Sequence, residues 1–112
     1  MADNRDEVLQ GTLDMLVLKA LQLGPLHGWG ITERLKQGSA EVLQVGQGSL
    51  YPALYRLEAQ GLVASRWDTT ENNRKARYYS LTRHGTKRLA DARRQWVRMS
   101  EAVNLVLGMT TP

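Results

Sequence analysis

The chain has 112 residues, with 15 Lys and Arg against 11 Asp and Glu, a net charge of +4 and a pI near 9.8. That length fits one domain with a modest core, and the basic excess fits a polyanionic partner. With no cysteine, a disulfide framework and any Cys-based metal site are excluded; His27 and His84 lie far apart without carboxylates at ligand spacing, which argues against other metal sites.

No run of about 18 apolar residues occurs, so no membrane span is expected. Met1–Glu7 is polar and lacks the apolar stretch of a signal peptide. These features predict a soluble, cytoplasmic protein. Residues 1–7 and 109–112 are expected to be disordered tails.

From Val8 onward Leu9, Leu13, Leu16, Val17, Ala20 and Leu21 recur at helical spacing, and Gly24-Pro25 stops the run. Leu26-His27-Gly28-Trp29-Gly30 then leads into a second helix, Ile31 to about Lys36. Gly28 suits either a close backbone approach or free amides for a phosphate. His27 reads as a turn residue or helix cap, and Trp29 as a packing residue in preference to a DNA contact. Gln37 to Gly48 is loop-like, with Val42 to Val45 either a short strand or the tail of a turn.

The chain is organised around the next helix, Ser49 to Gln60. Ser49 is expected to be its N-cap and Pro52 to fall in its first turn. Leu50, Leu54 and Leu57 form a buried stripe, and Gly61 ends the helix. The other face carries Ser49, Tyr51, Pro52, Tyr55 and Arg56. Buried leucines on one side, with hydroxyls and an Arg on the other, make a candidate reader of a DNA groove.

Leu62 to Trp67 and Arg77 to Leu81 have strand character, joined by the polar turn Asp68–Asn73. Arg74, Lys75 and Arg77 cluster at this hairpin tip, where they are either simply solvated or meet phosphates. Thr82 is the expected N-cap of a long last helix that ends at Gly108. Leu89, Ala92, Trp96, Met99, Val103 and Val106 follow one another at three and four, a heptad seam. The small remainder of the domain cannot cover such a seam, so a homodimer is expected. The helices would pair with each other or with the first helix of the partner chain.

The fold class is therefore mainly α with a small β-hairpin: a winged helix-turn-helix domain over residues 8–82 and a C-terminal dimerisation helix over 83–108. At this point the chain resembles short PadR-family transcriptional regulators. The resemblance is carried by Leu26-His27-Gly28-Trp29-Gly30-Ile31, by Gly48 to Glu58, by Gly61-Leu62-Val63 and by Arg77 to Gly85. It spans about Leu13 to Leu107. Trp29 departs from the family, which commonly has Tyr there.

The resemblance implies a homodimeric DNA-binding repressor on a palindromic operator, with no cofactor. Ser49, Tyr51, Pro52, Tyr55 and Arg56 would line the recognition helix, and Arg74, Lys75 and Arg77 would serve the wing. Arg56 is the candidate for reading a guanine edge. Similarity to drug-sensing members of this type further implies a planar aromatic effector at Trp96, although filling the dimer interface is the simpler role for that side chain. The alternative is a protein-interaction winged helix without specific DNA binding. An enzyme is disfavoured: no nucleophile, base and acid set and no phosphate loop after a strand is present.

Overall fold

The structure, a computed structural model, describes residues 10–109. The expected tail at 1–7, all but Met109 of the expected tail at 109–112, and Val8 and Leu9 of the first helix lie outside the described residues. In chain order the elements are α1 (Gln10–Ala20), β1 (Leu26–His27), α2 (Gly28–Gly38), α3 (Gln47–Ala59), β2 (Val63–Thr69), β3 (Lys75–Leu81) and α4 (Arg83–Leu107).

The apolar periodicity assembles one core. Leu13, Val17 and Leu18 of α1, Ile31 and Leu35 of α2, and Leu50, Ala53, Leu54 and Leu57 of α3 meet under Val63 and Tyr79 of the sheet. Helix α1 is the hub, packing on α2, α3 and α4. Transfer energies of about 1.5–3 kcal/mol per large buried side chain make this leucine cluster the main source of stability.

The sheet has three strands in the order β1-β3-β2, not the two expected, all antiparallel. Strand β1 is only two residues long and pairs Leu26 with Tyr79 and His27 with Tyr78. It anchors the start of α2 to the wing. Helix α2 also begins earlier than expected, because His27 caps it: the Gly30 amide donates to His27 Nδ1 at 3.0 Å. Val42 to Val45 forms no strand; Val45 is buried while Val42 is exposed.

Two expectations for α3 are corrected. Its N-cap is Gly46, and Ser49 is already inside the first turn, with its amide and that of Leu50 both donating to the Gly46 carbonyl at 3.1 and 3.0 Å. Pro52 consequently lies in the second turn, where it removes the amide that would donate to Gly48. The helix ends as expected: Gly61 adopts φ +74°, and the Leu62 amide closes on the Leu57 carbonyl at 2.9 Å.

Helix α4 starts and stops as its sequence specifies. Thr82 Oγ1 accepts from the Gly85 amide at 3.0 Å and itself donates to the Gly61 carbonyl at 2.7 Å. Gly108 terminates the helix at φ +74°. Its 25 residues span roughly 37 Å. The radius of gyration, 15.2 Å, exceeds the ~13 Å expected for a compact chain of this length. The excess comes from the distal half of α4, whose apolar residues Met99, Val103, Leu105, Val106 and Leu107 are exposed.

Candidate nucleic-acid interface

One side of α3 is buried and the other is open. Tyr51, Pro52 and Tyr55 are exposed, with Tyr55 73% accessible. Ser49 is half-buried at the start of this face. Tyr51 also packs inward. A Cβ built on Gly28 would lie 2.5 Å from the Tyr51 hydroxyl oxygen, so the ring end sits directly on the α2 backbone. Gly28 thus serves close approach: it lets α2 and α3 cross with a tyrosine between them.

Arg56 is placed differently from the expectation that it projects outward. Its guanidinium turns to α1, where Nη2 donates to Asp14 Oδ1 at 2.8 Å, both side chains being mostly covered. Its Nε is buried with no hydrogen-bond partner among the described residues. Arg56 therefore ties α3 to α1. Asp14, which sequence reasoning did not single out, is the partner that draws it in.

Of the hairpin cations, Arg74 and Lys75 are exposed at the tip. The tip is shaped by Thr70, whose amide donates to the Arg74 carbonyl at 2.7 Å, and by Asn73 at φ 60°. Arg77 belongs to a separate cluster. Its Nε donates to Ser65 Oγ at 2.8 Å, Nη2 lies 3.4 Å from Glu58 Oε1, and Ser65 Oγ donates to Glu58 Oε2 at 2.5 Å. This network joins the base of the wing to the end of α3. Burial pushes the Tyr79 hydroxyl pKa above its ordinary value; neighbouring Arg77 works against this, while Glu58 and Tyr51 add to it.

Between the wing, Tyr51 and the start of α2 lies an open cleft of about 920 Å³, lined among others by Trp29, Trp67, Arg74, Lys75 and Arg77. The expected packing role of Trp29 is not what the structure shows, since its side chain is 66% exposed.

The seam on α4 divides. Leu89 is 2% exposed and belongs to the core of its own domain, so its assignment to a dimer interface is corrected. Ala92 is half-buried beside it. Trp96, Met99, Val103 and Val106 are exposed. Trp96 also lines a groove of about 360 Å³ between α1 and α4, with Met15, Leu16, Lys19, Arg93 and Val97. No helix among the described residues is long and apolar enough to cross a membrane.

Comparison with known proteins agrees with this architecture. A transcriptional regulator from Clostridium thermocellum superposes with a TM-score of 0.79 at 25% identity, covering 88% of this chain and 96% of that one. A PadR family transcriptional regulator from Eggerthella lenta gives a TM-score of 0.75 at 33% identity, covering 90% and 86%. An uncharacterized 37.1 kDa protein in transposon TN4556 of Streptomyces fradiae is 40% identical over 89 residues, 80% of this chain; the chain spans only 24% of that protein's length. The family model of PadR-like transcriptional regulators matches residues 17–91, from the middle of α1 into α4. The chain belongs to the PadR-like family of transcriptional regulators, DNA-binding proteins with a winged helix.

Proposed function

We propose that the protein is a homodimeric transcriptional repressor in the cytoplasm that reads a palindromic operator. The observation that carries this is the shared exposure of Tyr51, Pro52 and Tyr55 on α3 and of Arg74 and Lys75 on the adjoining wing. Tyr51, Pro52 and Tyr55 would enter a major groove, with Ser49 near the phosphates at the start of the helix. Arg74 and Lys75 would hold phosphates and position the protein without specifying sequence. Arg77 would brace the wing against α3, and Arg56 would fix the orientation of α3 through Asp14.

Dimerisation is supported by the exposed row Trp96, Met99, Val103 and Val106, which keeps heptad spacing over the half of α4 that the domain leaves uncovered. A two-fold dimer would present its recognition helices about one turn, ~34 Å, apart. Selection of bound duplexes from a random pool tests both claims. Enriched sequences with inverted half-sites at that spacing support them; enrichment of a single unpaired site, or of none, refutes them. Salt titration separates this reading from a protein-interaction module, because phosphate contacts give a steep loss of affinity with salt and apolar protein contacts do not.

Release by a planar aromatic effector is the remaining part of the proposal. The groove at Trp96 supports it, and its cations Lys19 and Arg93, with no acid in the lining, favour a neutral or anionic ring system. Titration with neutral and anionic dyes, followed by Trp96 emission, should give saturable quenching that disappears in Trp96→Phe. Identical responses in both proteins would remove the effector site.

A further inference from the structure

We infer that the first half of α4 carries a second polyanion site: a cationic stripe that seats the backbone of a duplex segment other than the one facing α3. None of the residues proposed above to meet the operator takes part. From Arg83 to Arg98 the helix has six cations, Arg83, Lys87, Arg88, Arg93, Arg94 and Arg98, against one acid, Asp91. The whole chain has a net charge of only +4.

Four of the six form a row. Arg83, Lys87, Arg94 and Arg98 stand at i, i+4, i+11 and i+15, within about 60° of one another around the helix and over a length of ~22 Å. All four are exposed. Arg94 pairs with Asp91, and the other three make no ion pair with any described residue. On the same projection the seam of Leu89, Trp96 and Val103 lies on the opposite side of α4. Since α1 packs on both α3 and α4, the stripe and the exposed tyrosines of α3 look outward on different sides of α1. A dimer closed through the seam leaves both stripes open.

The fold gains nothing from this placement. Cations crowd the N-terminal half of α4, the first turn has no acid, and the last turn has no base. That is the reverse of what the helix dipole favours. Arg83 with Lys87, and Arg94 with Arg98, are like-charge pairs one turn apart, which also weaken a helix. An anionic ligand would relieve both.

The surroundings favour a phosphate backbone over a protein. Beside the stripe is a shallow hollow of about 580 Å³ lined by Ala90, Arg93, Arg94, Val97 and Arg98. A stable protein interface needs an apolar, often aromatic centre; here only Ala90 and Val97 are apolar, and Trp96 turns to the seam. Arginine dominates the row, and its guanidinium fork matches phosphate oxygens. The row is as long as about six base-pair steps of duplex. With reading helices on one side and stripes on another, a dimer would hold two duplex segments at once.

The test compares three full-length proteins: wild type, the stripe variant Lys87→Gln with Arg94→Gln and Arg98→Gln, and the wing variant Arg74→Gln with Lys75→Gln. A short labelled random-sequence duplex is titrated at low ionic strength, and bound duplex per protein is read by sedimentation. Wild type should show two classes of bound duplex. The stripe variant should keep one and weaken the other roughly tenfold or more, with the salt slope of that class falling by about three. The wing variant should weaken only the first class. The Tm of the stripe variant should equal or exceed that of wild type, because repulsion has been removed. Wild-type stoichiometry and salt slope in the stripe variant overturn the inference. So does a lowered Tm, since the cations would then serve the fold. Polyglutamate that binds wild type but not the stripe variant, with no second class of duplex, overturns the DNA occupant in favour of an acidic polypeptide. A single class that the stripe variant loses and the wing variant keeps would support the stripe while removing the operator reading.

Discussion

Replacing Asp14 tests whether Arg56 is a brace or a reader. The pair is a charge-assisted hydrogen bond at 2.8 Å, with the Arg56 and Asp14 side chains 31% and 21% exposed. A fully buried partner left alone would cost about 3–5 kcal/mol, and an exposed pair contributes about 0–1 kcal/mol. Partial cover places Asp14→Ala between these, at about 1–2 kcal/mol, because the guanidinium would keep only its solvent-facing side hydrated. For a domain of this size that lowers Tm by roughly 4–12 °C. Arg56→Met should cost less, since it removes the charge together with the unsatisfied Nε while retaining much of the chain's packing. Combining the two substitutions should recover part of the loss, with a coupling of about 1 kcal/mol. The assay is chemical denaturation of the four proteins of the cycle, paired with binding-site selection for each. Additive losses in the cycle would refute the ion-pair account. Relaxed preference at one base position in Arg56→Met, but not in Asp14→Ala, would return Arg56 to direct readout.

Gly85→Ala should destabilise by about 2–3 kcal/mol in denaturant titration, because its Cβ would run into the Leu62 carbonyl oxygen and lie 2.8 Å from Leu81 Cδ1. Since the Leu62 carbonyl also accepts from the Thr82 amide, the obstruction would loosen the junction of wing and α4. Arg74→Ala and Lys75→Ala should each reduce the slope of log affinity against log salt by about one and weaken all duplexes alike; unchanged slopes would mean that the tip is merely solvated. Tyr79 gives a pH prediction. Its pKa is raised above 10.0 in the folded state, so the native protein holds a proton that the unfolded chain releases. The stability this contributes is complete below about pH 10 and is lost as pH rises through the folded value. Tyr79→Phe should therefore flatten the alkaline limb of the stability curve, and an unaltered limb would show that another group controls it.

Features governed by neighbours in sequence were legible in it. The leucine stripe of α3, the stop at Gly61, the cap at Thr82 and the stop at Gly108 all depend on residues within about one helical turn. Features governed by distant partners were not. Arg56 looks solvent-facing on a helical projection until Asp14, 42 residues earlier, claims it. Strand β1 has two residues and exists only because β3 offers an edge to Leu26 and His27. Ser49 is a favourable cap residue, yet the helix already begins at Gln47, with Gly46 in extended backbone as its cap and no side-chain cap bond. On the candidate interface, the exposure of Tyr51, Pro52 and Tyr55 followed from period alone. The exposure of Trp29 did not, because an indole beside two glycines fits burial as well as it fits a surface. Trp67 left a signal that went unused: on β2 it shares a period-two face with Val63 and Ser65, but it lies beyond the point where the core ends.

The division of α4 bears on how a dimer would read its site. A heptad pattern reports that a face is apolar; it cannot say whether that face meets its own domain or another chain. Leu89 shows that the first turns belong to the monomer's core, while Trp96 to Val106 extends beyond it. The direction of the free seam is therefore set by packing inside each subunit. Helix α1 makes that setting common to both ends of the molecule, since it packs on α4 through the Leu89 region and holds α3 through Asp14. With α1 clamped between them, the angle from seam to recognition helix is a property of the single chain. Half-site spacing would then resist substitutions in the distal seam, which would weaken the dimer without altering the spacing it prefers. A change in the α1–α4 groove would act differently, because rotating α1 there would carry Asp14, and with it Arg56 and the exposed tyrosines, relative to the two-fold axis.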